Sequence, residues 1–387
     1  MGRGNPRADN IFDMNGAGPQ LLSPRDGGRA SARLTGRGVL KHALLRWYDR
    51  HRRDLPWRAA PPNSYHVLVS EFMLQQTQVA TVIPYFARFT QEFPTLVDLA
   101  SATEQQVLRL WQGLGYYLRA RNLHAAAKAI VADHKSQIPS DLQTLLSLPG
   151  IGRYTAGAIA SIAFGKQAPL LDGNVARVLC RLHAIENDPR DPKTARVLWD
   201  LAENLVPVDR PGDFNVAMME LGATVCTPRN PACDRCPLQS SCVAYRTQKQ
   251  QTIPPPRRRP PTPLEKRWAF AMRRGHRWLI EQRPATGRWA GLWQFVTVEA
   301  NGRKPQYADL RRIGSVAHTL SHRRYRFDVF TCTGDMPPAS DGRKRKWVTL
   351  GRLDHYPMSK PQLTIAKMIA TQADAHSSKP PRPKARL

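Results

Sequence analysis

The stretch from Thr252 to Pro263 divides the chain into two parts that we expect to fold separately. Six of its twelve residues are proline, and three consecutive arginines lie among them. Proline lacks a backbone donor and fixes φ, so this segment supports neither a helix nor a sheet and acts as a semi-rigid linker. Within a chain of 387 residues, a linker at 247–263 predicts at least two domains.

The residues before the linker show the periodicity of helices. Apolar residues recur at helical spacing from Val39 to about Ser161, which predicts an all-α domain at 39–246. Breaks are expected at four prolines, Pro84, Pro94, Pro139 and Pro149. Three further helices are expected later in this domain: Val175–Leu182, Ala195–Leu205 and Phe214–Leu221. Residues 1–38 show little periodicity and are expected to be a disordered basic arm.

The residues after the linker favour a different class of fold. Short segments rich in aromatic and β-branched residues predict strands, and a helix is expected near Lys360–Thr371. We therefore predict an α+β domain at 264–372, followed by a basic disordered tail at 373–387. The expected strands are Trp268–Met272, Trp278–Ile280, Phe295–Val298 and Tyr325–Thr331.

The charge of the chain indicates a polyanionic partner. The formal net charge is +28 and the isoelectric point is about 10.6, which favours nucleic acid over an anionic membrane surface. No apolar run approaches the roughly 18 residues of a membrane-spanning helix. Because the N-terminus also lacks the apolar core of a secretory signal, we expect an intracellular protein, cytoplasmic or associated with the nucleoid.

Four cysteines predict a metal site. Cys226, Cys233, Cys236 and Cys242 form the pattern C-x6-C-x2-C-x5-C within 17 residues. In an intracellular protein such a cluster favours metal binding over disulfides. The spacing alone leaves a zinc site and a [4Fe–4S] cluster equally plausible. The two remaining cysteines, Cys180 and Cys332, lie in apolar segments and are interpreted as core residues.

The sequence Leu148-Pro149-Gly150-Ile151-Gly152 predicts a tight turn between two helices. Its glycines permit close approach of the backbone, and the following helix would direct N–H groups toward a phosphate. A helical corner without any ligand is the alternative interpretation.

Two carboxylates have surroundings that suit acid–base chemistry. Glu71 lies in an almost entirely apolar helical segment, where burial would raise its pKa and keep it protonated. Asp172 precedes a helix, whose N-terminus would lower its pKa and keep it ionised. Cleavage of a glycosidic bond requires one acid of each kind. The simpler alternatives are that Glu71 faces solvent and that Asp172 is only a helix cap.

The cysteine loop resembles the [4Fe–4S] loop of the endonuclease III and MutY branch of DNA glycosylases, which favours iron–sulfur over zinc. The string from Leu148 to Gly157 looks like the helix-hairpin-helix of this superfamily, implying DNA contacts at Pro149, Gly150 and Gly152. Ser70–Thr77 and Leu171–Val175 look like MutY motifs.

This resemblance implies specific roles for single residues. Glu71 would protonate N7 of a flipped adenine, Asp172 would stabilise or trap the sugar cation, and Asn174 would position that aspartate. Gln76 matches a residue that fills the gap in the base stack, and Tyr116 matches an aromatic wedge; insertion offsets the cost of base flipping.

Tyr154 stands where bifunctional relatives carry lysine. An amine can form a Schiff base with the sugar, whereas a phenol cannot. The resemblance therefore implies a monofunctional enzyme that leaves an abasic site, with Tyr154 inside the active site.

The second domain resembles the C-terminal domain of MutY, a Nudix-like fold that recognises 8-oxoguanine. Gly291–Phe295 and His318–His322 fit this pattern, with Ser321 and His322 as lesion contacts. Leu320 occupies a position that is usually phenylalanine. A Nudix hydrolase needs the metal-binding helix R-E-x-x-E-E, which this region lacks, so nucleotide hydrolysis is not expected.

The leading hypothesis is a monomeric, monofunctional glycosylase that removes adenine paired with 8-oxoguanine or G in double-stranded DNA. One alternative is a bifunctional glycosylase/lyase for oxidised pyrimidines. A second is a non-catalytic iron–sulfur protein that only binds DNA.

Overall fold

The computed structural model describes residues 27–256, 261–302, 305–333 and 342–377. Contacts divide the chain into two compact units. The first comprises residues up to Ser101 together with Asn122–Arg258, and the second comprises Ala102–Arg121 together with the residues from Arg259 onward. The short segment 102–121 thus belongs to the second unit, although it lies within the range predicted for the helical domain.

The first unit is helical, as predicted. A core of buried apolar side chains joins its helices; Leu44, Leu179, Trp199 and Phe214 are among them. The helices before the linker, including α5 and the start of α6 in the second unit, are α1 (Gly27–His51), α2 (Ser64–Leu74), α3 (Val79–Glu92), α4 (Leu96–Ser101), α5 (Glu104–Leu110), α6 (Leu118–Asp133), α7 (Leu142–Ser147), α8 (Arg153–Ala158), α9 (Gly173–His183), α10 (Pro192–Leu205), α11 (Pro211–Thr224) and α12 (Val243–Arg246).

Side-chain caps determine where the helices that carry the candidate acids begin. The Asn63 side chain accepts a hydrogen bond from the backbone N–H of His66 and so caps α2. Asp172 caps α9 by accepting from the N–H of Val175 at 2.7 Å. These side chains satisfy N–H groups that have no partner within the helix. Glu71 therefore lies in the second turn of α2, and Asp172 lies at the entrance to α9.

One predicted helix break is wrong. Pro84 lies inside α3, which continues from Val79 to Glu92. Proline removes one hydrogen bond of the helical ladder, but Val82, Phe86 and Phe89 bury the same face of α3. Their burial offsets the loss, and the chain stays helical through the proline.

The second unit contains a six-stranded mixed sheet with the order β4-β5-β1-β3-β2-β6, in which β1 and β5 run parallel. Helix α13 (Lys360–Ser377) follows the sheet, and its Ile365 and Ile369 join one of the buried clusters of strand residues. This architecture confirms the α+β prediction. The strands are β1 (Leu264–Arg274), β2 (Arg277–Gln282), β3 (Trp293–Glu299), β4 (Ala308–Thr319), β5 (Arg324–Thr333) and β6 (Arg345–Val348).

Two strands lacked a sequence signal. β4 contains two register shifts against β5, around Arg311 and Gly314, so its side chains do not alternate regularly. β6 is only four residues long and carries two basic residues. A strand is predicted from the alternation of apolar and polar residues, and this alternation must be longer and more regular than it is in β4 or β6.

The termini differ in part from the expectation of disorder. Helix α1 begins at Gly27, inside the predicted arm, and α13 continues to Ser377, beyond the predicted start of the tail. Alanine, arginine and leucine are strong helix formers, and residues 29–34 consist largely of them. Residues 1–26, 257–260 and 378–387 lie outside the described residues.

Within the described ranges, none of the helices is both long enough and apolar enough to cross a membrane.

Candidate active site

Glu71 is a buried acid without a hydrogen bond to one of its oxygens. The residue is 5% exposed, and its Oε2 atom has no hydrogen-bond partner among the described residues. Burial raises the pKa of Glu71 to about 7, and the nearby charge of Asp172 raises it further, whereas Tyr154 and Arg58 oppose the rise. The predicted burial and the predicted direction of the pKa shift are both confirmed. At neutral pH this carboxyl holds its proton about half of the time.

Asp172 is held by hydrogen bonds at both carboxylate oxygens. Its Oδ1 accepts from the N–H of Val175 at 2.7 Å, and its Oδ2 accepts from Asn174 Nδ2 at 2.9 Å. Asp172 and Asn174 are therefore brought together as the sequence predicted. The two bonds fix the plane of the carboxylate relative to α9.

The expectation that the helix N-terminus lowers the pKa of Asp172 is wrong. Burial raises this pKa, while the hydrogen bonds from Val175 and Asn174 and the charge of Arg177 only partly oppose the rise. The sequence shows the cap but not the depth of the site, because residues distant in the chain bury the carboxyl. Desolvation therefore outweighs the helix terminus here.

Tyr154 lies in the first turn of α8, beside both acids. Its hydroxyl donates a hydrogen bond to the sulfur of Met219 at 3.4 Å. Burial raises the pKa of Tyr154, and the charges of Glu71 and Asp172 raise it further. The phenol is therefore neutral at physiological pH. The structure thus brings Glu71, Asp172 and Tyr154 into one electrostatically coupled group.

Arg177 connects Asp172 to the cysteine loop. Its Nη2 donates to Asn174 Oδ1 at 2.8 Å and to the carbonyl of Gly222 at 2.7 Å. Its Nε donates to the carbonyl of Cys226 at 2.8 Å. One guanidinium thus bonds the amide that holds Asp172 and the backbone of the first cysteine in the loop.

The four clustered cysteines line one cavity, together with Arg181, Tyr245 and Gln250 among others. The four thiols surround this cavity; among the described residues, no group of three or more His, Cys, Asp or Glu side chains converges on the position of a single metal ion. Four cysteine thiolates around one cavity are a donor set that a [4Fe–4S] cluster takes, so the residues present fit such a cluster. Cys180 and Cys332 are buried outside this loop, as predicted.

The turn before α8 requires its first glycine. Gly150 has a φ of +72°, and a Cβ there would lie 2.4 Å from the Asn122 side chain. Pro149 precedes it, and Gly152 is the cap residue of α8. The predicted turn between helices α7 and α8 is confirmed. The next segment, Ile159–Ala163, is a turn of π-helix.

Gln76 adopts a conformation that is uncommon for a residue with a side chain. It follows α2, is exposed and has a φ of +55°. Its neighbour Gln75 donates from Nε2 to Thr155 Oγ1 at 3.3 Å, which connects this turn to α8. Strained backbone of this kind concentrates at functional sites, so the geometry gives Gln76 a second signal beside its sequence motif.

In the second unit, Tyr116, Ser321 and His322 form one hydrogen-bonded group. Tyr116 is 44% exposed and has a φ of +48°. Its hydroxyl lies 3.3 Å from Ser321 Oγ, which lies 3.2 Å from His322 Nδ1. The guanidinium of Arg119 lies 5.4 Å from the centre of the Tyr116 ring. Leu320, which occupies the position where phenylalanine is usual, packs partly against the domain core.

Sequence reasoning missed several arginines. Arg53 and Arg58 both bond Glu220, which is 1% exposed, and the charge of Arg58 lowers the pKa of Glu71. Arg177 could have been found, because a residue three positions after Asn174 lies on the same face of α9. Glu220 is far away in the sequence and gave no local signal.

Three family models match the chain. The HhH-GPD superfamily of base excision DNA repair proteins matches residues 69–204, and the iron–sulfur binding domain of endonuclease III matches residues 226–242. A NUDIX domain matches residues 267–368. The match over the cysteine loop confirms an iron–sulfur cofactor over zinc.

Two curated proteins that are similar to this chain over most of their length carry the same name. The adenine DNA glycosylase of Rattus norvegicus is 40% identical over 381 residues, which covers 80% of this chain and 74% of that protein. That of Homo sapiens is 40% identical over 387 residues, which covers 80% and 70%. Among solved structures, a thermostable thymine-DNA glycosylase superposes with a TM-score of 0.51 at 29% identity, covering 56% of this chain and 99% of that one. The chain belongs to the adenine DNA glycosylase family.

Proposed function

We propose that this protein is a monofunctional glycosylase that removes adenine paired with 8-oxoguanine or with G in double-stranded DNA. The observation that carries this proposal is the buried Glu71 carboxyl, whose Oε2 has no hydrogen-bond partner among the described residues and whose pKa is raised to about 7. Within the described residues Glu71 forms no ion pair, and a buried acid of this kind is costly to keep charged; a substrate that accepts its proton explains why it is kept.

Glu71 supplies the proton. Asp172 accepts two hydrogen bonds, which favour its ionised form, whereas Glu71 Oε2 accepts none from the part of the chain that the structure describes. When two acids share a site, the proton stays on the acid with fewer donors. The protonated Glu71 donates to N7 of adenine, and the electrons of the N-glycosidic bond then leave with the neutral base.

Asp172 and Asn174 act on the sugar. Departure of adenine leaves positive charge on the sugar ring, and a carboxylate stabilises such an oxocarbenium ion. Asn174 holds Asp172 through the 2.9 Å hydrogen bond and is itself held by Arg177. Water then adds to the sugar carbon and loses a proton, which gives an abasic site. The carboxylate stabilises the cation directly or through a covalent bond to the sugar.

Tyr154 restricts the reaction to hydrolysis. A neutral phenol at this position forms no Schiff base with the sugar, so the strand is not cut. Its hydroxyl also lies close enough to Glu71 to favour the ionised form of that acid. Tyr154 thereby keeps the pKa of Glu71 from rising further and leaves the acid able to release its proton.

Two surfaces contact the DNA in this proposal. Backbone N–H groups of the turn at Pro149, Gly150 and Gly152 bind a phosphate, as suits the start of a helix. Gln76 and Tyr116 enter the base stack when adenine leaves it, since inserted side chains offset the cost of unstacking.

Ser321 and His322 contact the base opposite adenine. Both carry groups that donate and accept hydrogen bonds, and Ser321 Oγ lies next to the Tyr116 hydroxyl. Such contacts would allow the protein to distinguish 8-oxoguanine from T as the base opposite adenine. We further propose that the protein acts as a monomer in the cell compartment that holds the DNA.

The cofactor of this proposal is a [4Fe–4S] cluster held by Cys226, Cys233, Cys236 and Cys242. Its role is structural, because all four ligand positions come from the protein. When bound, it cross-links the loop that carries the Cys226 carbonyl, and Arg177 contacts that carbonyl.

The proposal is tested by single-turnover cleavage of duplexes that carry A opposite 8-oxoguanine, G or T, and of a duplex that carries an oxidised pyrimidine, with and without alkali. Release of adenine from the first two duplexes, with strand breaks only after alkali, is the expected result. Breaks without alkali, or activity only on oxidised pyrimidines, would favour the bifunctional alternative. Binding without any cleavage would favour a protein that only binds DNA.

A further inference from the structure

Gln250 is a half-buried residue whose side-chain amide has a buried oxygen, and the proposed function gives this amide no role. Its Oε1 atom is buried and has no hydrogen-bond partner among the described residues. The same side chain lines the cavity of the four cysteines. Burying a hydrogen-bonding group without a partner is unfavourable, so its position requires an explanation.

The backbone around Gln250 is held in place by hydrogen bonds. The N–H of Lys249 donates to the carbonyl of Ala244 at 2.8 Å, and the N–H groups of Thr252 and Ile253 both donate to the carbonyl of Lys249 at 3.1 Å. The amide of Gln250 is therefore presented to the cavity by a fixed turn.

Arg181 already donates toward a sulfur of this cavity. It is 2% exposed, and its Nη1 lies 3.3 Å from Cys226 Sγ. Its Nε donates to the carbonyl of Ile253 at 2.8 Å, which fixes the end of the turn that carries Gln250. Arg181 thus connects a sulfur of the cavity to the turn that carries Gln250.

Charge decides which end of the Gln250 amide faces the cavity. Four thiolates with a [4Fe–4S] core carry a net negative charge, which attracts an N–H group and repels a carbonyl oxygen. The two ends of a glutamine amide have nearly the same shape and are assigned by their hydrogen bonds. Because no described residue bonds Oε1, a half-turn of the amide exchanges the two ends without breaking a bond at that atom.

We propose that Gln250 donates a hydrogen bond from Nε2 to a sulfur of the cluster or of its cysteine ligands, and that this bond tunes the reduction potential and the retention of the cluster. The inference rests on the iron–sulfur cofactor of the proposed function and not on adenine removal. Hydrogen bonds to sulfur stabilise the more electron-rich state and raise the potential of such clusters.

The test replaces Gln250 by leucine in the full, cluster-loaded protein. The matched control is Gln248→Leu, because Gln248 is exposed and its amide donates to the carbonyl of Tyr245 at 3.2 Å. Voltammetry of the immobilised protein gives the midpoint potential, and visible absorbance with an iron chelator gives the rate of cluster loss. We expect Gln250→Leu to lower the potential and to lose its cluster roughly tenfold faster, whereas Gln248→Leu matches the wild type.

Equal potentials and equal rates of loss in all three proteins would overturn the inference. If Gln250→Leu does not load a cluster, pulsed electron paramagnetic resonance of the oxidised wild type decides instead. In that measurement, protein labelled with ¹⁵N in the glutamine side chain should show a coupling to the cluster that Gln250→Glu lacks. A wild type without this coupling overturns the inference. Absence of adenine release from a protein with a normal cluster would instead count against the proposed function alone.

Discussion

Both units bury glutamates, and Glu71 of the first unit differs from Glu281 of the second unit in its partners. In the first unit, Glu71 is 5% exposed and its Oε2 has no hydrogen-bond partner among the described residues. In the second unit, Glu281 is 1% exposed and is bonded by Gln294 at 2.8 Å, by Arg343 at 2.8 Å and by Arg345 at 3.5 Å. Burial alone therefore does not identify a reactive acid.

The difference shows how the same residue type serves chemistry or structure. Arginines neutralise the charge of Glu281 and join β2 to β6, whose register places Glu281 opposite Arg345. Glu71 has Asp172 as a neighbour, and that charge raises its pKa further. A site that must pass a proton to a substrate needs the arrangement around Glu71, because arginine partners favour the ionised form of a carboxyl group.

The largest expected effect is on cleavage by the Glu71→Gln variant. Glutamine has the same shape but donates no proton, so we expect adenine release to slow by about 10²–10⁴-fold. Binding of the duplex should stay close to that of the wild type. Single-turnover kinetics and an equilibrium binding assay measure the two quantities. The exposed Glu203→Gln in α10 is the control and should cleave normally; retained cleavage in Glu71→Gln would remove this acid from the mechanism.

The next effect concerns Arg177. Replacing it by methionine removes its hydrogen bonds to Asn174, Gly222 and Cys226. Asp172 would then lose the support of Asn174, and loss of such a supporting partner typically costs about 10–100-fold. Single-turnover rates below the melting temperature of the variant measure the effect, with the exposed Arg196→Met as the control. Normal rates in Arg177→Met would show that Asn174 needs no support.

Opposite effects on stability are expected from the same substitution in the two units. Between pH 4.5 and 7 the unfolded chain releases the Glu71 proton and the folded chain keeps it, so stability falls as pH rises. With the pKa raised from 4.5 to about 7, this loss is about 3 kcal/mol, and Glu71→Gln lacks it. Glu71→Gln should therefore become more stable than the wild type as pH rises toward 8.

Glu281→Gln should instead be less stable than the wild type at all these pH values. It removes the carboxylate that Arg343 and Arg345 both bond, and we expect a loss of roughly 2 kcal/mol because both arginines are partly exposed. Denaturant unfolding at pH 5 and pH 8 measures both variants. If both variants were more stable than the wild type at pH 8, or both less stable, the distinction between the two glutamates would be wrong.

The smallest effect concerns the base opposite adenine. Ser321→Ala removes one hydrogen-bonding group, which is worth about 1 kcal/mol, so the preference for 8-oxoguanine over G should fall roughly fivefold. The exposed Thr319→Ala on β4 is the control. An unchanged preference would mean that Ser321 does not contact the lesion.

Local patterns predicted most of the fold. The helices of the first unit, the turn at Gly150 and the cap at Asp172 all depend on residues close together in the sequence. Pro84 did not break α3, because burial of one helix face outweighs the loss of one hydrogen bond. Irregular or short strands such as β4 and β6 obtain their pairing from distant residues, which no local pattern shows.

The candidate acids were predicted from sequence, but their electrostatics were predicted only in part. The apolar neighbours of Glu71 indicated burial correctly. The pKa of Asp172 moved in the opposite direction from the prediction, because distant residues desolvate it more than the helix terminus stabilises it. Arg177 contacts Asn174, and Glu220 contacts Arg58. Only the folded chain forms these contacts around the candidate acids.

The protonation state of Glu71 is the central claim, and infrared difference spectroscopy measures it directly. The spectrum of the wild type minus that of Glu71→Gln isolates the carboxyl band, which is followed from pH 4 to pH 9. We predict that the protonated band persists above pH 5 and disappears with a midpoint of about 7. A midpoint near 4.5, the ordinary value of a solvated glutamate, would contradict the assignment of Glu71 as the proton donor.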